Sequence, residues 1–410
     1  MATSRIPFHY GWIIVLCGAL TLFACLGLAR FAYGMLLPAM RAGLDFGYDR
    51  MGFISTANFV GYLAAVALAP LAIRRLQPRA TVICGLLLVA GSLLGISRSA
   101  SFVPLLLLYG LTGLGGGFAN IPMMVLVSHW FRRERRGRAA GLMILGNGAA
   151  IVFSGLLIPV LNQQLGPEGW RSGWLLLGLI TLGVTLLVAL LLRNDPAKLG
   201  LEPLGSRVPL PAPALEAHPP IGGGGILARL GLVYFLFGLT YMVFGTFIVA
   251  TMVAELGYAE AKAGQFWAWI GLFSMASAVG FGILSDRIGR KGGLMVAFAL
   301  QSAAFFFAGA RLGSWGLLLA VALFGFSLFA IPSIMAAAVG DYLGLAQAAS
   351  GFSFITLCFG VGQIFGPGGA GMLAEASGSF SGAYLASGVL AALAVLLAWR
   401  LPPPRSTSSG

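Results

Sequence analysis

Charge is scarce in this chain. Only 9% of its 410 residues are Asp, Glu, Lys or Arg, where a soluble domain carries about 25%. So few charges cannot cover a water-exposed surface, which excludes a soluble globular protein. Acidic residues are scarcer than basic ones, 12 against 25, and the net charge is +13. A basic balance can signal a nucleic-acid binder, but here the cations recur in alternate loops, so no nucleic-acid partner is expected. Cys17, Cys25, Cys84 and Cys358 lie far apart inside apolar runs without partner histidines. Neither a metal site nor a disulfide framework is indicated. No nucleotide-binding glycine loop occurs, so ATP is not the direct driver and no cofactor is expected. No loop gathers a catalytic constellation, and an enzyme is not expected.

Apolar runs are abundant. The chain is 59% hydrophobic with a mean hydropathy of +0.93. Runs of about 20 such residues are the unit that crosses a bilayer as a helix. The short alternating segments of a β-barrel are absent. The pattern predicts an all-α membrane protein with twelve transmembrane helices. They fall at 12–37, 50–72, 79–97, 102–129, 137–161 and 169–192, then at 227–254, 262–284, 291–310, 314–340, 347–373 and 379–400. The first run is too long for a signal-peptide core and lacks a cleavage site, so it reads as an uncleaved helix. Seven of the 20 prolines and the run Gly222–Gly225 fall within 193–226. That composition reads as a linker. The expected organisation is a six-helix bundle at 1–192, a cytoplasmic linker at 193–226 and a second bundle at 227–410.

With the N-terminus inside, 18 of the 25 Lys and Arg fall in inside loops and six in outside loops. This asymmetry predicts that both termini are cytoplasmic. The remaining cation, Arg30, lies within the first span.

The two halves look like copies. "NIPMMVLVSHW" from Asn120 and "AIPSIMAAAVG" from Ala330 both carry Ile-Pro inside a span, and "GRAAG" (137–141) and "QAASG" (347–351) keep the same offset of 210. "APLAIRRLQPR" (69–79) matches "GILSDRIGRK" (282–291) at an offset of 213, with Ile73 where the second copy has Asp286. A six-plus-six internal repeat is a transporter signature, with the substrate site between the halves near mid-membrane.

The segment Gly282-x-Leu284-x-Asp286-Arg287-x-Gly289-Arg290-Lys291 resembles the best-known loop motif of the major facilitator superfamily, here between the eighth and ninth helices. "HYGWIIVLCG" (9–18), "HWFRRERRGRAAG" (129–141) and "GWRSGWLLLG" with "LLRNDPAKLGLEP" (169–203) are similar to bacterial permeases of the monocarboxylate and oxalate–formate type. A further group of bacterial permeases shares "LARFAYGMLLPAM" (28–40) with "ANFVGYL" (57–63). The resemblance covers essentially the whole chain. It implies the major facilitator fold, with two six-helix pseudo-repeats, and a secondary transporter, symporter or antiporter, working by alternating access. The implied cargo is a small organic anion such as a monocarboxylate. The expected setting is a monomer in the bacterial inner membrane, with a proton as a candidate coupling ion. One departure is Ala278, which stands where the monocarboxylate group has an arginine. Carboxylate specificity therefore does not carry over through that position.

A membrane-embedded ionisable group is a functional-site candidate. Arg30 is the one cation well inside a span, and all twelve acidic residues fall in loops or at span ends. Arg30 is the candidate anion ligand, with Tyr33 three residues on and on the same helix face. Polar side chains near mid-span complete the candidate set: Asn58, Tyr62, Asn120, Asn147, Tyr241, Ser333 and Gln363. Each can equally be an interhelical hydrogen bond worth about 0.6 kcal/mol. Gly282, Asp286, Arg287, Gly289, Arg290 and Lys291 are the expected conformational latch, with the glycines allowing a tight turn. Trp267 and Trp269 are expected to anchor at the membrane interface. His129 reads as interfacial, with proton coupling the alternative. Two rival functions stay open. An exporter of drugs or hydrophobic metabolites would favour a membrane-embedded carboxylate, and none is evident. A non-transporting membrane sensor would carry a signalling domain.

Overall fold

The computed structural model describes residues 9–205 and 223–402. Among these residues ten helices are long and apolar enough to cross a membrane. Two of the ten, Tyr48–Ile96 and Glu260–Gly309, run 49 and 50 residues. At 1.5 Å per residue each is about 75 Å long, more than twice a ~30 Å hydrocarbon core. Both break once. Gln77 interrupts the first at φ 66°, ψ 160°, and Gly289 interrupts the second at φ 81°, ψ 157°. Each is therefore a pair of spans, and the total is twelve. They are α1 (Gly11–Leu44), α2 (48–76), α3 (78–96), α4 (Phe102–Trp130), α5 (Arg133–Leu165) and α6 (Gly169–Leu191). The second half follows as α7 (Gly225–Glu255), α8 (260–288), α9 (290–309), α10 (Gly313–Leu343), α11 (Leu345–Ser377) and α12 (Ser381–Trp399). This is an all-α membrane protein.

The two breaks sit in the repeat-related turns, which together define one basic end of the molecule. Gly289 takes its positive φ without penalty. The first-half copy has no glycine there. Instead the Gln77 carbonyl accepts a bond from Thr81 Oγ1 at 2.9 Å, and its Oε1 accepts one from Asn194 Nδ2 at 2.8 Å. Pro78 then opens α3, at a position where its missing N–H costs nothing. The repeated Ile-Pro pairs behave differently. Pro122 lies within a continuous α4, whereas α10 breaks around Phe329 just before Pro332.

The segment after α6 is not uniformly a linker. Residues 193–205 pack on the basic end of the first half. Leu204 exchanges backbone bonds with Trp130 and Arg132, Trp130 Nε1 donates to the Arg193 carbonyl, and Arg132 pairs with Glu202 at 3.1 Å. Pro196 starts a short 3-10 turn capped by Asp195. Residues 206–222 lie outside the described residues.

Three seams join the halves, α2 against α11, α5 against α8 and the far part of α1 against α7, where a Cβ on Gly34 would lie 2.2 Å from the Gly245 carbonyl oxygen. Backbone meets backbone there. A Cβ added at Gly52 would lie 2.5 Å from the Pro367 carbonyl oxygen, and one at Gly264 would lie 2.2 Å from that of Gly155. Hydrogen bonds between the halves, among the described residues, all fall in the part of the seams away from the basic end. Tyr48 N donates to Glu375 Oε2 at 2.7 Å, Asn162 Nδ2 to Glu260 Oε2 at 3.0 Å, Thr56 Oγ1 to the Ile364 carbonyl at 2.9 Å and Trp267 Nε1 to Ser154 Oγ at 3.2 Å. The Ser55 and Thr246 hydroxyls are hydrogen-bonded to each other at 3.3 Å. Toward the basic end the seams loosen. A Cβ at Gly141 would only touch Val279, and one at Gly137 or Gly280 would meet nothing within 4 Å. The α5–α8 seam is thus tight at one end and looser toward the basic one.

Candidate functional site

Arg30 lies in α1 at the end of a π-helical stretch, Phe23–Phe31, and is 8% exposed. Such wide turns occur often at functional sites. Its Nε donates to Asn58 Oδ1 at 2.9 Å. Asn58 Nδ2 donates to the Tyr109 carbonyl at 3.2 Å, and the Tyr109 hydroxyl returns to the Arg30 carbonyl at 3.2 Å. The ring of bonds is possible because α2 and α4 nearly touch: a Cβ on Gly113 would fall 1.8 Å from the Asn58 carbonyl oxygen. The guanidinium lies over the rings of Phe59 and Tyr62, 4.8 Å and 4.6 Å from their centroids. Desolvated cation–π contacts of this kind reach about 2 kcal/mol. None of the described ion pairs includes Arg30. The cation is held by aromatic faces, the Asn58 amide and the Tyr241 hydroxyl, without a carboxylate among the described residues.

Two further polar pairs border it. Asn120 Nδ2, on α4, donates to the Tyr62 hydroxyl at 2.9 Å, while its Oδ1 is buried without a partner. Across from them, on α7, the Tyr241 hydroxyl lies within hydrogen-bonding reach of Arg30. Gln363 Nε2, on α11, donates to that hydroxyl. Behind Tyr241 stands a stack of rings, with Phe237 at 4.7 Å and Phe359 at 5.7 Å, and with Tyr234 4.6 Å from Phe359. The site thus draws on α1, α2 and α4 of the first half and on α7 and α11 of the second. A guanidinium edge and the Tyr62 and Tyr241 hydroxyls converge there, and no ion pair among the described residues engages the guanidinium.

Of the residues singled out in the sequence, Arg30, Asn58, Tyr62, Asn120, Tyr241 and Gln363 are brought together. Tyr33 is not. Its hydroxyl donates to the Met51 carbonyl at 2.7 Å, and its ring stacks on Tyr109 at 4.8 Å beside Trp174. It belongs to the packing of the first half. Asn147 is buried on α5 with Oδ1 unpartnered. Ser333 is a strut between helices, its Oγ donating to the Ala278 carbonyl at 3.2 Å. Ala278 itself is buried, and no cation stands at that point. Trp267 is not an interfacial anchor. It is 1% exposed and wedged against Ser154 of α5, whereas Trp269 is 43% exposed. His129 is at the basic end, on a groove of about 440 Å³ shared with Asp195 and Glu202, well away from Arg30. Phe59, Tyr109, Tyr234 and Phe359 escape sequence reasoning, because aromatics in an apolar helix carry no distinguishing signal.

The basic turn after α8 is organised around Arg290. Its Nε donates to Asp341 Oδ2 at 2.6 Å, and its Nη1 donates to Asp286 Oδ1 at 2.5 Å and to Ser285 Oγ at 2.8 Å. Gly282 faces Ser333 of α10. Lys291 lies over the Trp399 ring at 6.0 Å, and Arg287 is exposed. These contacts tie the turn to α10 and α12, within the second half.

A family model described as "Uncharacterised MFS-type transporter YbfB" matches residues 22–399. The chain belongs to the major facilitator superfamily. This transporter is 26% identical over 407 residues to human monocarboxylate transporter 11, covering 93% of the chain and 80% of that protein. It is 24% identical over 404 residues to the hexuronate transporter of Bacillus subtilis, covering 92% and 91%. Among solved structures, a D-xylose–proton symporter superposes with a TM-score of 0.77 at 16% identity, covering 96% of the transporter and 98% of the symporter. At that identity the likeness speaks for the fold alone.

Proposed function

We propose that this chain is a secondary active transporter that carries a small organic anion, with monocarboxylates first among the substrates, by alternating access. One observation carries the reading: a buried guanidinium between the two halves whose counter-charge no described side chain supplies. An arginine in mid-membrane costs roughly 2.5–3.5 kcal/mol on the insertion scale. A bound carboxylate would offset that cost and accept from the Nη edge of the planar fork, which lysine cannot imitate. Both relatives named above carry carboxylate cargo by name. The exporter alternative lacks support, since no acidic side chain among the described residues pairs with Arg30.

The distribution of Lys and Arg supports a cytoplasmic basic end and cytoplasmic termini, and the proposed setting is a bacterial inner membrane. The described conformation is then open to the cytoplasm. Residues 1–192 and 227–410 act as two bundles that rock across the glycine seams. When the anion is taken up, the bonds at the far end part and the basic end closes. The turn at 282–291, with Arg290 held by Asp341 and Asp286, braces the second bundle during that closure.

Uptake of radiolabelled L-lactate and D-glucuronate into proteoliposomes, with and without a proton gradient, tests the reading. Arg30→Ala is expected to abolish uptake. Arg30→Lys should weaken it sharply while leaving insertion intact. Wild-type rate and apparent affinity in Arg30→Ala would refute anion binding at this residue.

A further inference from the structure

Each half offers the Arg30 site one tyrosine, and each tyrosine is held by an amide from a neighbouring helix of its own half. Tyr62 accepts from Asn120 at 2.9 Å. Tyr241 accepts from Gln363. The arrangement is the same on both sides although the helices differ, α2 with α4 and α7 with α11. A phenolic oxygen that already accepts an amide N–H has its own O–H left to give. Arg30 is similarly constrained. Its Nε is spent on Asn58, and its faces are covered by Phe59 and Tyr62. Only the Nη edge remains, and Tyr241 approaches it from the other half.

We propose that Tyr62 and Tyr241 are the two neutral donors to the transported anion, one from each half, and that Asn120 and Gln363 are positioning residues that turn those hydroxyls toward it. The proposal rests on Arg30 being the anion's cation. It adds that a single carboxylate is gripped from both halves at once. In the unloaded site Tyr241 already reaches Arg30 across the halves, and a bound carboxylate adds a bond from each tyrosine to one shared group. Occupancy is thereby coupled to closure. One guanidinium and two hydroxyls also suit a monoanion. A phosphate dianion would keep an uncompensated charge, because no second cation is in reach among the described residues.

The experiment is a set of uptake measurements in proteoliposomes with radiolabelled L-lactate and D-glucuronate. Tyr62→Phe and Tyr241→Phe keep the rings and remove the hydroxyls. Each is expected to raise KM by roughly tenfold or more, the weight of a hydrogen bond to a charged group. Gln363→Leu should raise KM less, and it should add nothing to Tyr241→Phe in the double variant, because it acts only through that hydroxyl. Asn120→Leu should behave in the same way toward Tyr62→Phe. Thermal midpoints of the Phe variants without substrate report that the fold is intact. A native KM in both Phe variants, with uptake lost in Arg30→Ala, would overturn the tyrosine assignment and leave the Arg30 reading standing. Native uptake in Arg30→Ala would instead remove the reading beneath it. Additive effects of Gln363→Leu and Tyr241→Phe would show that the glutamine does not act through the tyrosine and would overturn its positioning role.

Discussion

Alanine at position 289 separates backbone strain from every other contribution to the turn between α8 and α9. Gly289 holds φ 81°, ψ 157°, a region occupied almost wholly by glycine, where a side chain costs about 1–3 kcal/mol. The added Cβ would meet nothing within 4 Å, so no clash enters the sum. Alanine returns roughly 0.5–1 kcal/mol by restricting the unfolded chain. The expected net loss is about 1 kcal/mol, or about 1–2 °C in Tm for a chain longer than the usual calibration set. Thermal unfolding of the detergent-purified protein measures it. Gly137→Ala is the control, since that glycine also faces open space but lies inside α5. There alanine should be neutral or stabilising by up to about 1 kcal/mol. If Gly289→Ala proves as stable as Gly137→Ala, the turn does not hold its positive φ in the protein, and the placement of Arg290 against Asp341 loses its geometric basis.

Other expectations follow from the two ends of the molecule. Reporter fusions after Arg79, Arg138 and Lys291 should report cytoplasm, and fusions after Asp45 and Glu375 the outside; an outside signal at Lys291 would invert the topology. Glu375→Gln keeps shape but removes the charge that meets the Tyr48 N–H at the start of α2, where the helix dipole favours an anion. Cysteine labelling from the side opposite the basic end should increase, and unchanged labelling would make that contact incidental. Asp286→Asn should disturb accessibility at the basic mouth less than Arg290→Ala, because Asp341 still holds the guanidinium. Equal effects would mean that Asp286 alone is the latch.

Much of the architecture was legible because membrane spans announce themselves by length and charge, and because the repeat offsets locate both basic turns. The breaks at Gln77 and Gly289 fall inside the two segments matched as copies. The site was legible where polarity is out of place: Arg30, Asn58, Tyr62, Asn120, Tyr241 and Gln363 are conspicuous in apolar surroundings. Tyr33 was misplaced for a physical reason. Three residues return to one face only if the helix is regular, and Arg30 closes a stretch with i→i+5 bonding, where each turn holds an extra residue. Trp267 was misplaced because its position near a helix start says nothing of the α5 backbone packed beside it. The aromatic faces around the guanidinium could not be read, since Phe59 and Phe359 differ in nothing but location from the many phenylalanines that merely fill space.

The glycines of the seams bear on speed as well as on shape. Where Gly148 and Gly155 of α5 face Gly271 and Gly264 of α8, backbone slides on backbone, and few side chains besides Met275 and Trp267 have to shift as the helices tilt. Interdigitated leucines would meet that motion with a series of rotamer barriers, each a small ratchet. A largely backbone contact acts as a bearing, with lower friction and few preferred stops. The preferred stops must then lie at the rims, in the few polar contacts made by Tyr48 with Glu375 and Asn162 with Glu260. The turnover rate thus becomes tunable by single substitutions at the rim, while a methyl group added to the bearing would stall the cycle.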